Sequence, residues 1–324
     1  MAEVTFLEAI REALFEEMAR DERVFVLGED VGTIGGAFRV TEGLLAKFGG
    51  ARVVDTPISE SAIIGASIGA AYMGLRPVAE LQFIDFITTC FDMITSVAAT
   101  SRYRTGAGVP MVVRGPCGAG VSGGPFHSAN PEAFFLNTAG IKIVEPSTPY
   151  DAKGLLKAAI RDDDPVLFFE HKLLYRRLKE TLPADDYIVP IGKAIVRRTG
   201  SDLTIVTFGA MVHVALDAAE ALSKEGVAVE VLDLRTLAPL DRDAILSSVA
   251  KTSKAIVLHE ASRTGGIGGE VAAIIAEEAF PYLDGPVVRV ASLDVPVPYS
   301  PPLEKAVLPN VEKVMAAAKR LIGY

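Results

Sequence analysis

The stretch that decides the fold covers residues 55–70 and reads DTPISESAIIGASIGA. It follows a short apolar run, and Pro57 prevents a helix from continuing back through it. Ser59 or Ser61 can cap a helix that begins here. The pattern therefore predicts a strand, a short turn and then a helix.

One face of this predicted helix carries almost no side chain, because Gly65 and Gly69 lie four residues apart beside alanines. Such a face predicts very close packing against another element. Glu60 lies at the mouth of the helix. Taken alone it is an ordinary first-turn acid, which the helix dipole stabilises by about 0.3–1 kcal/mol. A catalytic role for it needs support from the rest of the chain.

Length and composition predict a cytoplasmic globular protein with two domains. The chain has 324 residues, and half of them are hydrophobic, enough for a sizeable core. The net charge of −9 argues against non-specific binding to nucleic acid or to anionic membranes. Cys90 and Cys117 have no metal-ligand spacing and are typical of a reducing compartment. We expect no leader peptide, and no apolar run reaches the ~18 residues that span a membrane.

Strand-like and helix-like segments alternate in two series along the chain. This alternation predicts an α/β fold of two domains, each a mostly parallel sheet with helices on both faces. The predicted domains cover residues 1–185 and 201–324, with a linker region at 186–200. The apolar stretch 85–103 is predicted to form one buried helix, in which Asp92 either needs a buried partner or occupies the one polar face.

Several short features are candidates for function. Glu29 and Asp30 follow a predicted strand, where open α/β sheets bind ligands, although a solvated turn explains them equally well. The glycine-rich loop 115–124 is predicted to be too flexible for a core, and His127 at its end is compatible with a structural or a catalytic role. The acids at 162–164 form a cation site or a solvated turn, and their spacing favours the turn.

Other features exclude common sites. The glycines at 265–269 lack the G-x-G-x-x-G spacing of a dinucleotide site, so we interpret them as a helix start in a tight interface. The chain contains no P-loop, no G-x-S-x-G and no cluster with metal-ligand spacing. Spacing alone thus supports only a two-domain α/β protein with candidate acids and a glycine-rich loop.

A series of longer motifs is more specific. They are GEDV at 28–31, DTPISE at 55–60, GLRPV at 74–78, RYRTG at 102–106, HS at 127–128, DAKGLL at 151–156 and DLRTL at 233–237. In this order they resemble the β subunit of the thiamine-diphosphate-dependent 2-oxoacid dehydrogenases, in the transketolase-like superfamily. This is the decarboxylating first component of the pyruvate, branched-chain 2-oxoacid and acetoin dehydrogenase complexes.

The resemblance covers essentially the whole chain and implies a pyrimidine-binding domain followed by a transketolase-type C-terminal domain. It also implies an α2β2 heterotetramer, in which the α subunit holds the diphosphate and magnesium through a Gly-Asp-Gly motif that this chain lacks. The implied reaction is oxidative decarboxylation of a 2-oxoacid, followed by reductive acylation of a lipoyl group on an acyltransferase component. The Gly65/Gly69 face is then expected to pack against another subunit.

The resemblance also assigns site residues. Glu60 matches the glutamate that hydrogen-bonds the aminopyrimidine of thiamine diphosphate and so activates it, and His127 matches the active-site histidine of the β chain. The other residues implied at the cofactor are Ile58, Gln82, Phe86 (which stacks on the aminopyrimidine) and Glu29. The residues implied in a proton relay are Glu29, Glu60 and Asp92. Those matching a potassium-binding loop of some members are Ala159, Ile160, Asp162 and Asp164, the last of which replaces an asparagine.

The substrate is less well determined by the resemblance. Residues 130–135, 259–261 and 264–266 look like branched-chain members, whereas 87–92 looks nearer the acetoin-type members. We therefore favour a branched-chain 2-oxoacid over pyruvate. The alternatives are an acetoin dehydrogenase β subunit, a split transketolase-like half and a non-catalytic scaffold subunit.

Overall fold

The computed structural model describes residues 3–324, which divide into two compact units. The first unit contains the residues up to Cys117 together with Phe134–Ile191. The second contains Gly118–Ala133 and Gly192–Tyr324. The loop at 118–133 thus belongs to the second unit, although its neighbours in the chain on both sides belong to the first.

The helices and strands follow the alternation that the sequence predicts. The strands are β1 (Glu3–Thr5), β2 (Val24–Gly28), β3 (Val53–Asp55), β4 (Arg76–Glu80), β5 (Val112–Cys117), β6 (Lys142–Val144), β7 (Val166–His171), β8 (Lys179–Thr181), β9 (Ile195–Arg198), β10 (Leu203–Thr207), β11 (Val229–Asp233), β12 (Thr236–Ala238), β13 (Ala255–Ser262) and β14 (Val288–Ser292). The α-helices are α1 (Phe6–Arg20), α2 (Leu44–Phe48), α3 (Glu60–Tyr72), α4 (Ser101–Thr105), α5 (Glu132–Phe135), α6 (Pro149–Arg161), α7 (Met211–Ser223), α8 (Arg242–Thr252), α9 (Gly268–Glu278), α10 (Pro301–Val307) and α11 (Val311–Ile322).

The first unit is built on parallel strands in the order β6-β7-β5-β4-β2-β3. In this register Gly28 lies opposite both Asp55 and Glu80, so the carboxyl ends of β2, β3 and β4 meet at one edge. The core strands are buried almost throughout, as parallel strands covered on both faces usually are. This edge positions the site described below.

Local signals fix the helices of the first unit. Thr5 caps α1 by accepting the Glu8 N–H, and the Glu8 carboxylate accepts the Thr5 N–H in return, forming a capping box. Thr148 caps α6, and Pro149 follows at the first helical position. A backbone N–H at that position has no partner within the helix, so proline loses no hydrogen bond there. These caps explain why the two helices begin at Phe6 and Pro149.

The second unit contains a five-stranded sheet with the order β14-β13-β10-β11-β9. All neighbours in this sheet are parallel except β9, which pairs antiparallel with β11 at the edge. The prediction of a two-domain α/β fold with mostly parallel sheets is therefore confirmed. Strand β9 lies inside the stretch 186–200 that composition marked as a linker region.

Two local predictions were wrong. The apolar stretch 85–103 forms a 3-10 helix (Ile84–Cys90), a π-helix (Met93–Ala98) and the short α4, because a run of apolar residues does not fix the helix type. Asp92 is exposed, as its alternative interpretation on a polar face requires. The start of the glycine-rich loop is buried rather than flexible, since β5 extends to Cys117 and pairs there with His171.

Among residues 3–324, the structure contains no helix with both the length and the apolar character needed to cross a membrane.

Candidate active site

The carboxyl edge of the first unit's sheet collects most of the predicted cofactor residues. Glu29 directly follows β2, Gln82 follows β4, and Glu60 is the first residue of α3, which comes after β3. In open α/β sheets this edge is where ligands bind. Parallel register alone thus brings together acids that are far apart in the chain.

The loop after β2 is fixed to the segment that leads into α3. The Asp55 carboxylate accepts the Gly32 N–H at 2.6 Å, and the Thr56 N–H donates to the Gly28 carbonyl at 2.9 Å. A β-carbon on Gly32 would lie 2.7 Å from the Asp55 Oδ2 atom, so only glycine allows this approach. The turn that carries Glu29 therefore has a defined position relative to α3.

Glu60 is held loosely at the mouth of its helix. Ser59 occupies the cap position but its side chain makes no capping hydrogen bond, and Ser61 Oγ donates instead to the Thr89 carbonyl at 2.6 Å. The Thr89 hydroxyl lies 3.5 Å from Glu60 Oε2 and 2.8 Å from the Phe86 carbonyl. These contacts join α3 to the 3-10 helix that carries Phe86.

Burial and the acids at this edge raise the pKa of Glu29. Glu29 is 8% exposed, and burial, followed by the negative charges of Glu60 and Asp30, raises its pKa. Burial and the charge of Glu60 likewise raise the pKa of the Cys90 thiol to about 12. Glu29 therefore retains a proton to a higher pH than a free glutamate, which suits a group that holds or passes a proton.

The remaining candidate residues of the first unit differ in their exposure and hydrogen bonding. Gln82 Nε2 donates to Asp30 Oδ2 at 3.4 Å, and Phe86 is half-buried. Ile58 is 81% exposed and Asp92 is also exposed. The structure thus brings Glu29, Glu60, Gln82 and Phe86 to one edge, and leaves the side chains of Ile58 and Asp92 accessible on the surface of this chain.

His127 belongs to the second unit, in a loop that two buried glutamates hold. The Glu260 carboxylate accepts the Ala119 N–H at 2.7 Å and the Asn130 amide at 2.9 Å. The Glu304 carboxylate accepts the Gly120 N–H at 2.8 Å. Because these loop amides bind buried carboxylates, the backbone around His127 has a defined position. The His127 side chain is half-buried.

Two further ionisable groups of the second unit are buried. Glu132 is completely buried with both carboxyl oxygens lacking hydrogen-bond partners in the described structure, and burial, with the charge of Glu260, raises its pKa to about 8. His259 is also completely buried, and burial, followed by the charge of Arg289, lowers its pKa to about 4. Both groups are therefore neutral in the folded protein near pH 7.

The candidate potassium residues lie at the end of α6 and in the turn before β7, where arginine and lysine side chains contact their oxygens. Across residues 3–324, no cluster of three or more histidine, cysteine, aspartate or glutamate side chains is arranged to bind a metal ion.

Sequence reasoning missed several residues that position the site. Thr89 carries no periodicity or motif signal of its own, since its contacts depend on the 3-10 turn. Glu260 and Glu304 bind amides 141 and 184 residues earlier in the chain, which no local pattern reveals. The unusual glycine content of the loop was the one signal that it needed external support.

The chain matches two family models. Residues 2–177 match the transketolase pyrimidine-binding domain, and residues 192–314 match the transketolase C-terminal domain. Two proteins of Bacillus subtilis are similar over the full length of both chains. The 2-oxoisovalerate dehydrogenase subunit beta is 53% identical, and the pyruvate dehydrogenase E1 component subunit beta is 46% identical.

Solved structures agree on the fold. A split-gene transketolase, described as an inactive beta4 tetramer, superposes with a TM-score of 0.81 at 24% identity and 99% coverage of both chains. Transketolase from Leishmania mexicana gives a TM-score of 0.74 at 17% identity, covering all of this chain and 46% of that one. Fold, domain matches and full-length similarity agree: the chain belongs to the family of β subunits of the thiamine-diphosphate-dependent 2-oxoacid dehydrogenase first components.

Proposed function

We propose that this chain is the catalytic β subunit of a branched-chain 2-oxoacid dehydrogenase. With an α subunit it decarboxylates the 2-oxoacid oxidatively and transfers the acyl group to a lipoyl group of an acyltransferase. The observation that carries the proposal is that the carboxyl edge of the sheet brings together Glu60, at the start of α3, and the buried Glu29, whose pKa is raised by burial and by the charge of Glu60. The 53% identity to a 2-oxoisovalerate dehydrogenase β subunit, against 46% for a pyruvate dehydrogenase β subunit, supports the choice of substrate.

The first unit's residues fit the aminopyrimidine of thiamine diphosphate. The Glu60 carboxylate has a long 3.5 Å contact with the Thr89 hydroxyl, so it is able to accept a shorter hydrogen bond from a ring nitrogen. The buried Thr56 hydroxyl lacks a hydrogen-bond partner among the described residues, which leaves a polar atom for a ligand at the same edge. When bound, this cofactor supplies an electron sink for decarboxylation.

In this proposal Glu60 binds and polarises the aminopyrimidine, and Phe86 packs on its ring. Gln82 and Ile58 line the cofactor site, and Glu29 holds a proton beside Glu60. Asp92 is the third acid of the proposed relay. His127 positions the acyl-accepting group and moves a proton. The α subunit supplies the sites for the diphosphate and magnesium, and together the chains form an α2β2 heterotetramer.

One experiment tests the function and its substrate. The chain is co-expressed with an α subunit of the family, and carbon dioxide release is measured with thiamine diphosphate, magnesium and a lipoyl domain. We expect 3-methyl-2-oxobutanoate to give a higher kcat/KM than pyruvate. Acetoin has no carboxyl group to release, so its turnover is followed by acylation of the lipoyl domain, and we expect it to be the lower. Preference for pyruvate would overturn the substrate choice, and thiamine-independent binding of an acyltransferase without any turnover would favour the scaffold alternative.

A further inference from the structure

Three cationic side chains converge on the turn between α6 and β7. Arg76 comes from the start of β4, Arg102 from α4 and Lys142 from the start of β6. The turn itself carries the acids Asp162, Asp163 and Asp164, which follow directly after α6. Four elements of the first unit thus meet at this turn. The contacts of its oxygen atoms decide which cation the turn binds.

Arg76 occupies the centre of this cluster. Its Nη1 atom donates to the carbonyl of Ile160 at 3.0 Å and to that of Asp162 at 2.8 Å, and its Nη2 atom donates to Asp163 Oδ1 at 2.5 Å. The Arg76 side chain is only 14% exposed. Its guanidinium is therefore enclosed, and it uses two carbonyls of the set that the resemblance assigned to potassium.

The other oxygens of the turn are also engaged. The Ala159 carbonyl accepts the Asp162 N–H at 3.3 Å, and the Asp162 carboxylate accepts Lys142 Nζ at 2.6 Å. The Asp164 carboxylate accepts Arg102 Nε at 2.6 Å. The carbonyl and carboxylate oxygens named here thus already bind donors of this chain, and three of these donors, Arg76, Arg102 and Lys142, carry a full positive charge.

A potassium ion does not fit this arrangement. Potassium is bound by several oxygens that replace its hydration shell, and binding through the Ile160 and Asp162 carbonyls would bring it next to the Arg76 guanidinium. Like charges at that distance repel strongly in a partly buried site. The negative charge of the three acids is already balanced by Arg76, Arg102 and Lys142, so electrostatics offers no gain from a further cation.

We propose that the Arg76 guanidinium is a built-in replacement for a bound monovalent cation, and that this turn is ordered without potassium. Arginine suits this position because its planar fork presents several fixed donors and keeps its charge at every physiological pH. A second consequence follows. Removal of the guanidinium leaves the Ile160 and Asp162 carbonyls and the Asp163 carboxylate without their donor, which recreates a site that a potassium ion can fill.

The test compares thermal unfolding of the full-length chain in potassium chloride and in N-methylglucamine chloride at equal ionic strength. For the wild type we expect the two Tm values to agree within about 1 °C. For Arg76→Met we expect a Tm lower by about 3–6 °C in N-methylglucamine chloride, because buried acceptors lose their donors. Potassium chloride should restore at least half of that loss. Arg104→Met, on the exposed side of α4, is the matched control and should respond to neither change.

A wild-type Tm that rises by several degrees in potassium would overturn the proposal, even if the variant failed to fold. An Arg76→Met variant that is destabilised but unresponsive to potassium would overturn the claim that the guanidinium stands where an ion can bind. Neither result depends on catalytic activity, so the test is independent of the proposed function.

Discussion

The buried carboxyl of Glu132 lies in the field of the Glu260 carboxylate, and burial together with that charge raises the pKa of Glu132 to about 8 from an ordinary value of 4.5. The folded state therefore binds one proton more than the unfolded state between these two values. The contribution of this carboxyl to the free energy of unfolding is fully present below pH 4.5. It decreases as the pH rises from 4.5 to 8, by about 1.4 kcal/mol for each unit of pKa difference.

Glu132→Gln mimics the protonated carboxyl and should remove this loss. We expect the variant and the wild type to have similar free energies of unfolding at pH 5, and the variant to be the more stable at pH 8.5. Urea unfolding across that range measures the difference. The exposed Glu277→Gln is the control and should retain the wild-type slope. Parallel pH profiles for Glu132→Gln and wild type would contradict the assignment.

The glycines at the start of α9 differ sharply in the space around them. A β-carbon on Gly268 would lie 2.6 Å from Nε2 of the buried His259, whereas one on Gly269 would first meet Arg289 Nη1 at 3.7 Å. Gly268→Ala should therefore destabilise the protein by about 1–3 kcal/mol through overpacking. Gly269→Ala should be neutral or stabilising by up to about 1 kcal/mol through helix propensity. Equal effects in denaturant unfolding would show that the His259 contact is not rigid.

If Glu60 activates the cofactor as proposed, Glu60→Gln should strongly reduce carbon dioxide release in the assembled enzyme, because an amide cannot replace the carboxylate in that role. A loss of about 10²–10⁴-fold in kcat is expected for a group with such a role. Assembly with the α subunit, measured by size-exclusion chromatography, should be unchanged. The exposed Glu42→Gln, which loses only ion pairs with Arg11 and Arg39, should keep full activity. Near-normal turnover of Glu60→Gln would exclude the catalytic assignment.

Arg114 is completely buried and pairs with both Glu170, at 2.6 Å, and Glu80. Arg114→Met should cost about 3–5 kcal/mol of unfolding free energy, because two buried carboxylates lose their counter-charge. Arg23→Met removes a pair with Asp21 at the surface and should cost less than about 1 kcal/mol. Similar losses in the two variants, measured by urea unfolding, would mean that the buried cluster relaxes by taking up protons.

The small-residue face of α3 is open in the isolated chain. A β-carbon on Gly65 or Gly69 would meet nothing within 4 Å. Gly69→Leu should therefore leave the Tm of the isolated chain unchanged or raise it. If this face packs closely against another subunit, the same substitution should weaken subunit assembly at least tenfold, which corresponds to about 1.4 kcal/mol. Sedimentation analysis measures this change. The exposed Asp217→Leu on α7 is the control. Unchanged assembly of Gly69→Leu would place the subunit contacts elsewhere.

Much of the fold could be predicted because parallel strands and amphipathic helices have local signatures. Asn310 caps α11, which begins at Val311, and Thr148 with Pro149 marks the start of α6. The stretch 85–103 failed because 3-10, π and α turns share the same apolar composition. Their hydrogen-bond patterns depend on tertiary contacts such as that between Ser61 and Thr89.

The candidate site was only partly accessible from sequence. Glu60 and His127 were assigned to the site through a resemblance, and spacing alone would have left both as ordinary residues. The influence of Glu60 on Glu29 depends on the pairing of β2 with β3, which sets Gly28 opposite Asp55. The carboxylates that hold the His127 loop come from distant parts of the chain, so only the folded structure reveals them.

The loop that carries His127 also has a consequence for synthesis on the ribosome. Its amides at Ala119 and Gly120 bind Glu260 and Glu304, which are translated 141 and 184 residues later. At the usual elongation rate of about 5–20 residues per second, about 10–40 s pass between synthesis of the loop and synthesis of Glu304. During that interval its glycine-rich backbone is exposed to proteases and chaperones, so nascent chains stalled before residue 304 should be cleaved first between residues 118 and 133.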